Sequence, residues 1–185
     1  MFVARTLKQK NIAEYLLYMW QVEDLIRASE WDMEQISQKV VARYSATPEQ
    51  ETELMQWYSD LLEMMRAEKV VQKGHLQICR NVIIQLTDLH LRLLRAPQYP
   101  FYSAAYYKAL PFIVELRAKK QGSSEEIPEL ETCFEALYGL VLLRMQKKEI
   151  GAETLRAASV ISAFLSMLSD YYHKEKDGKL EWNDK

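Results

Sequence analysis

Four polar side chains that could serve acid–base chemistry or ligand binding fall on predicted apolar helix faces. On the first predicted helix, Glu23 lies within an aliphatic stripe, and Arg27 follows it one helical turn later. His90 and Arg144 take similar positions on two later helices. A buried carboxylate must be paired or protonated, because an isolated buried charge is too costly. If the fold brings these side chains together, they form an internal pocket. If it does not, each of them is a core residue with a local partner.

The residue types of a metal or nucleophilic site are present, but their spacing is incomplete. His75 and Cys79 are four residues apart on one helix face, a spacing that can chelate a metal ion. No second pair completes the ligand set, and the nearest approach to a di-iron Glu-x-x-His motif is Asp170 to His173. The chain has no glycine-rich phosphate loop and no oxyanion-hole motif. We therefore predict no metal, no cofactor and no catalytic residue.

The last predicted helix carries an uncharged stripe opposite its apolar face. No charged residue occurs between Arg156 and Asp170, although the solvent side of a helix normally carries charges. The stripe therefore predicts close contact with another helix, of the same chain or of a second copy, and a plain polar surface is the alternative. Its four members are Ser159, Ser162, Ser166 and Ser169.

A tyrosine-rich segment, residues 97–112, is the second candidate for an interface. Tyr99, Tyr102 and Tyr106 recur at helical spacing within it. Tyrosine suits an interface because it combines apolar area with a polar tip. The same rings could instead line a ligand pocket or pack into the core.

Helical periodicity runs through the whole chain, and no segment alternates as a strand would. The clearest helix start is at Thr47, Pro48 and Gln50, which supply an N-cap, a proline at the first helical position and a capping-box partner. Pro111 predicts a kink or a break in the fifth helix. We predict seven mostly antiparallel helices, at Thr6–Ser29, Asp32–Tyr44, Pro48–Lys73, His75–Arg95, Phe101–Lys120, Glu125–Glu149 and from Gly151 to about Lys174.

The chain has 185 residues, of which 49% are hydrophobic and 27% charged, the profile of one globular domain. No linker divides it, so we expect a single all-α helical bundle over residues 1–174 and a charged, flexible tail over residues 175–185.

The net charge of −2 gives no electrostatic basis for nucleic-acid binding. The longest uncharged run, Ala157–Ser169, is too short to cross a membrane, and no signal peptide precedes it. Cys79 and Cys133 lie in helical apolar patterns, which predicts reduced thiols and a cytoplasmic location. These observations exclude nucleic acid and membranes as expected partners.

The segment KNIAEYLLYMWQVEDLIRA, Lys10 to Ala28, resembles the opening of a family of uncharacterised bacterial proteins of similar length. The likeness extends over the whole chain. It implies a cytoplasmic, all-helical domain of unknown function, and it implies no activity, cofactor or catalytic residue.

Taken together, these patterns favour a non-catalytic interaction or assembly protein over an enzyme. A homodimer is expected, formed through the last helix or through the tyrosine-rich segment. The alternative is a small-molecule-binding protein or enzyme with an internal pocket near Glu23, His90 and Arg144.

Overall fold

All regular structure in the computed structural model is helical, over the residues that it describes, 2–44, 46–119 and 128–182. Within these ranges the chain forms α1 (Phe2–Lys10), α2 (Ile12–Ala28), α3 (Met33–Lys39), a 3₁₀ turn (Val41–Arg43), α4 (Pro48–Ala67), α5 (Gln77–Arg95), α6 (Pro100–Lys119), α7 (Glu129–Met145) and α8 (Ala152–Lys176). The all-helical prediction is confirmed for these residues, whereas the antiparallel arrangement stays a prediction. No helix of the described ranges is long and apolar enough to cross a bilayer.

The first predicted helix is divided at Asn11 into α1 and α2. The Asn11 side chain accepts a hydrogen bond from the Ala13 N–H at 3.1 Å, so it caps the start of α2. The Ile12 N–H donates to Ser169 Oγ at 3.0 Å, and this hydroxyl donates to Asn11 Oδ1. Helical periodicity continues across this break, which is why the sequence pattern did not reveal it.

The start of α4 agrees with its sequence signature. Thr47 accepts from the Gln50 N–H, and the Gln50 side chain accepts from the Thr47 N–H, which completes the capping box. The other end comes earlier than the predicted Lys73. Lys69 adopts a positive φ of +59°, and the Val70 N–H closes the helix end by donating to the Met65 carbonyl at 2.9 Å.

Pro111 does not split the fifth predicted helix, because α6 is continuous from Pro100 to Lys119. The proline lies on the exposed side of α6. Its missing N–H would have served the carbonyl of Tyr107, itself an exposed residue. Solvent can hydrate that carbonyl, so the proline is tolerated. The end of this predicted helix at Lys120 and the start of the next at Glu125 lie outside the described residues.

The chain divides into two compact units, neither of them continuous in sequence. The first unit consists of residues 1–9 and 14–82, and the second of residues 10–13 and 83–185. Whether they act as the single predicted domain stays a prediction.

Each unit has its own apolar core. In the first unit, α2, α3 and α4 bury Leu16, Met19, Trp20, Val22, Ile26, Ile36, Tyr58, Leu61 and Met65. In the second unit, α6 packs against α7 and α8, and the buried residues include Leu89, Leu93, Tyr102, Ala109, Ile113, Phe134, Phe164 and Leu168.

The segment after α8 contacts residues that precede α6. The Glu181 carbonyl accepts hydrogen bonds from Gln98 Nε2 at 3.1 Å and from Tyr99 Oη at 2.7 Å. The Trp182 ring meets the Tyr99 ring edge-on and lies 4.8 Å from the Arg92 guanidinium. Residues 183–185 of the predicted flexible tail lie outside the described residues, and the mobility of the tail stays a prediction.

Candidate functional site

Glu23 is fully buried within the first unit, as its position in the aliphatic stripe of α2 predicts. Its Oε2 lies 2.7 Å from His75 Nδ1, and its Oε1 accepts a hydrogen bond from the Leu76 N–H at 2.9 Å. Leu76 immediately precedes α5, and the next N–H, that of Gln77, donates to Glu68 Oε2 at 2.6 Å. Carboxylates outside α5 therefore hold its start, and the one from α2 is Glu23.

Arg27 holds the connection between α4 and α5. Its guanidinium donates to the carbonyls of Val70 at 3.0 Å, Val71 at 3.2 Å and Gly74 at 2.5 Å. It also forms a 2.8 Å ion pair with Asp24, whereas its distance to Glu23 is 4.0 Å. The sequence identified Arg27 as the nearest partner of Glu23, but the closer partner in the structure is His75.

Two contacts orient the His75 ring. Its ring stacks on Trp20 with centroids 4.1 Å apart, and its Nδ1 faces Glu23. The side chain is 25% exposed. A carboxylate on Nδ1 fixes the orientation of an imidazole and leaves Nε2 for proton transfer or for a ligand. Sequence reasoning missed this pair, because the two residues are 52 positions apart and only the fold brings them together.

The structure does not support a metal site at His75 and Cys79. Throughout the described ranges, no group of three or more His, Cys, Asp or Glu side chains is placed to hold a metal ion. Cys79 is buried beside Glu23, and burial together with the nearby negative charge raises the pKa of the thiol well above its usual range. Cys133 is also buried, and burial raises its pKa to about 12.

We expect neither thiol to react in the folded protein. A thiol must lose its proton to act as a nucleophile, and both raised pKa values keep the thiolate population low at neutral pH. Ellman's reagent at pH 8 should detect fewer than one thiol per chain before denaturation and both thiols afterwards. A fast reaction of one thiol in the native protein would contradict this and identify an accessible nucleophile.

His90 lies in an aromatic cluster of the second unit. Its Nδ1 is 2.6 Å from Tyr102 Oη, and its ring meets the rings of Tyr106 and Phe164 edge-on. Burial disfavours the charged imidazole and lowers the pKa of His90 to about 4, against a weaker opposing effect of Glu129. The sequence assigned His90 to a pocket and the tyrosines to an interface, whereas the structure brings them together.

The three tyrosines of the predicted interface are mainly turned inward. Tyr102 is fully buried, and Tyr106 donates a hydrogen bond to Glu129 at 2.9 Å. Burial, aided by that carboxylate, raises the pKa of Tyr106 to about 12. Tyr99 is half-buried and donates to the Glu181 carbonyl.

Arg144 is exposed in the last turn of α7, which differs from the core-facing position expected for it. Its neighbours in the sequence are apolar, but Arg144 itself lies on the exposed side of α7, near the end of the helix. Glu23 belongs to the first unit, and His90 and Arg144 belong to the second. Their convergence in one pocket stays a prediction.

The serine stripe of α8 is divided between core and solvent. Ser169 is buried and exchanges hydrogen bonds with the start of α2. Ser159, Ser162 and Ser166 are exposed. Three of the four serines are therefore available for a contact with a second molecule.

The largest exposed apolar side chains of α6 are not the predicted tyrosines. Phe101 is 79% exposed, Tyr107 64% and Val114 57%. With three smaller residues at spacings of three and four, they form one side of the helix, which we call the outer face of α6. Its members are Phe101, Ala104, Tyr107, Pro111, Val114 and Ala118. Periodicity alone could not find this face, because α6 is apolar nearly all round.

Comparison with known proteins gives a family and no activity. A family model described as a domain of unknown function, DUF4924, matches residues 1–179. No curated protein matches the chain, and no solved structure does.

Proposed function

Because the chain belongs to the DUF4924 family, a domain of unknown function, we propose a function from the geometry of this chain: it is a non-catalytic interaction protein that assembles as a homodimer. The outer face of α6 is the observation that carries the proposal. Contiguous exposed apolar residues on a helix typically mark a binding surface. We place the protein in the cytoplasm, a location that its two buried, unpaired cysteines support.

The charges beside the outer face of α6 favour a second copy as its partner. Lys108 and Glu115 are both exposed at the same edge of this face, three residues before and four residues after Pro111. A two-fold axis near Pro111 would set two α6 helices antiparallel. Since such an axis brings equivalent edges together, Lys108 of each copy would then face Glu115 of the other. The surface is thus complementary to itself, with Glu115 shared between Lys119 of its own helix, at 2.6 Å, and Lys108 of the other copy.

The size of the face is compatible with this arrangement. The rings of Phe101 and Tyr107 together expose roughly 250–300 Å², given the usual area of aromatic side chains. The helix is about 30 Å long at 1.5 Å per residue. A standard interface buries about 800 Å² per partner, so residues beside α6 must supply part of the contact.

Exchange of the two charges tests the proposal. We expect Lys108→Glu to weaken the dimer roughly tenfold, because it creates two like-charge contacts across the axis. Lys108→Glu combined with Glu115→Lys should restore the dimer. Tyr107→Ser should also weaken it, whereas Ile84→Ser, which removes an exposed apolar residue from α5, should not. Sedimentation velocity over a range of concentrations measures each dissociation constant.

The exposed serines of α8 are the competing interface. Ser162→Arg should leave the dimer intact if α6 forms the contact, and should disrupt it if α8 does. A wild-type protein that stays monomeric at about 100 μM would refute the homodimer, because a dissociation constant above that value corresponds to less than about 5.5 kcal/mol of binding free energy.

The second candidate function is a small-molecule-binding protein or enzyme, with a site at Glu23 and His75 of the first unit. The part-exposed His75, oriented by buried Glu23, supports it. Native mass spectrometry of the protein as purified tests this alternative. An added mass of a few hundred daltons, lost in His75→Ala, would favour it over the assembly proposal.

A further inference from the structure

A cleft in the first unit is lined by cationic side chains. Its volume is about 650 Å³, within the usual range for sites that bind small molecules. None of its lining residues is acidic, and three of them carry a positive charge. The lining residues are Trp31, Arg66, Lys69, Val71, Gln72 and Lys73.

The cations of the cleft are not paired with carboxylates. Within the described part of the chain, Arg66, Lys69 and Lys73 form no ion pair. Glu68 lies between two of them in the sequence, and its Oε2 accepts a hydrogen bond from the Gln77 N–H at 2.6 Å instead of pairing with them. Cations that converge without a counter-charge repel one another and attract an anion.

Trp31 supplies an aromatic side chain to the wall of the same cleft. Its indole Nε1 is buried and has no hydrogen-bond partner among the described residues, so a molecule in the cleft meets the ring and not the N–H.

Hydrogen bonds from Arg27 hold the backbone of the cleft wall, through the carbonyls of Val70, Val71 and Gly74. Trp31 and Lys69 both have φ of +59°, a region that large side chains rarely occupy. At Lys69 this conformation is that of a helix end.

We propose that this cleft binds a small phosphate-bearing anion. Arg66, Lys69 and Lys73 would contact the phosphate oxygens, and the indole ring of Trp31 would lie beside the ligand. Arginine and lysine are the usual phosphate-binding residues in proteins. A volume of about 650 Å³ suits a small molecule, and binding here does not depend on self-association.

The backbone of Lys69 offers a variant that folds at least as well as the wild type. Lys69 lies at the position after the helix that glycine normally takes, because glycine adopts positive φ without strain. Lys69→Gly should therefore raise the melting temperature while it weakens binding of inorganic pyrophosphate about tenfold. If Lys69 had only a structural role at the helix end, Lys69→Gly would raise the melting temperature without weakening pyrophosphate binding.

Lys147 supplies the matched control. It has φ of +54° at the end of α7, and the Lys148 N–H donates to the Leu143 carbonyl as the Val70 N–H does to that of Met65. Lys147→Gly should also raise the melting temperature but leave pyrophosphate binding unchanged. If each lysine only complemented the dipole at its helix C-terminus, the two substitutions would have the same effect on pyrophosphate binding.

Titration with pyrophosphate, followed by the indole N–H resonances in ¹⁵N-labelled protein, gives the readout. We expect a saturable shift of the Trp31 resonance, assigned through Trp31→Phe, and little shift of Trp57 and Trp182. No saturation at millimolar pyrophosphate, or equal weakening by Lys69→Gly and Lys147→Gly, would overturn the proposal. Tighter binding of a single-stranded oligonucleotide than of pyrophosphate would also overturn it, since the cleft would then belong to a polymer-binding surface.

Discussion

Glu23→Ala is expected to lower the free energy of unfolding by roughly 3–5 kcal/mol, because two hydrogen bonds to its buried carboxylate are lost and each such bond contributes about 1.5–3 kcal/mol. The substitution leaves the Leu76 N–H without an acceptor and His75 Nδ1 without its partner. It also removes the negative charge nearest to Arg27 after Asp24. Glu23→Gln should cost less, because its amide oxygen can still accept from Leu76. Urea denaturation at pH 7 measures both changes.

Asp24→Ala is the matched control for this experiment. Asp24 pairs with the same arginine at 2.8 Å, but its side chain is 42% exposed. Exposed ion pairs contribute at most about 1 kcal/mol, so the loss should stay below that value. Equal losses at both positions would show that Glu23 does not anchor the start of α5.

His90 is expected to make the protein less stable as the pH falls from about 6.5 to about 4. The imidazole in the unfolded chain takes up a proton near pH 6.5, whereas burial lowers the folded pKa to about 4. Between these values only the unfolded state binds the proton, which favours unfolding. Above pH 6.5 both states are neutral, and below pH 4 both are charged, so the effect is confined to that window. At 1.36 kcal/mol per pKa unit, the loss across the window is about 3 kcal/mol.

Comparison with His90→Gln isolates this contribution. Glutamine can still accept a hydrogen bond from Tyr102 but does not titrate, and carboxylates that titrate in both proteins cancel in the difference. The stability of the wild type should therefore fall by about 3 kcal/mol more than that of the variant between pH 7 and pH 4. Parallel stability curves would mean that His90 becomes protonated in the folded state without difficulty.

The sequence predicted features that local pattern determines. The capping box at Thr47 needs only neighbouring residues, and the burial of Glu23 follows from the aliphatic stripe around it. The partners of Glu23 could not be predicted, because His75 and Leu76 approach it only through the packing of separate helices. The break at Asn11 was missed because helical periodicity continues across it, and its distant partner Ser169 is brought there only by the fold.

The candidate sites show the same limit. The spacing of the tyrosines located the tyrosine-rich segment. An almost uniformly apolar helix does not indicate which of its rings face outward, so buried Tyr102 was assigned to the interface and exposed Tyr107 was not. The basic cleft had no sequence signature, because Trp31 and its lysines come from segments on either side of α3 and α4.

The hydrogen bonds between the start of α2 and Ser169 bear on the order in which the chain folds during synthesis. They join residues 157 positions apart, so α2 leaves the ribosome long before the hydroxyl that completes its first turn. Early in translation this turn can only be held by Asn11, and the second unit cannot close until α8 has emerged. The nascent chain must therefore keep residues 10–13 available until Ser169 has been made, a period in which a chaperone could engage them.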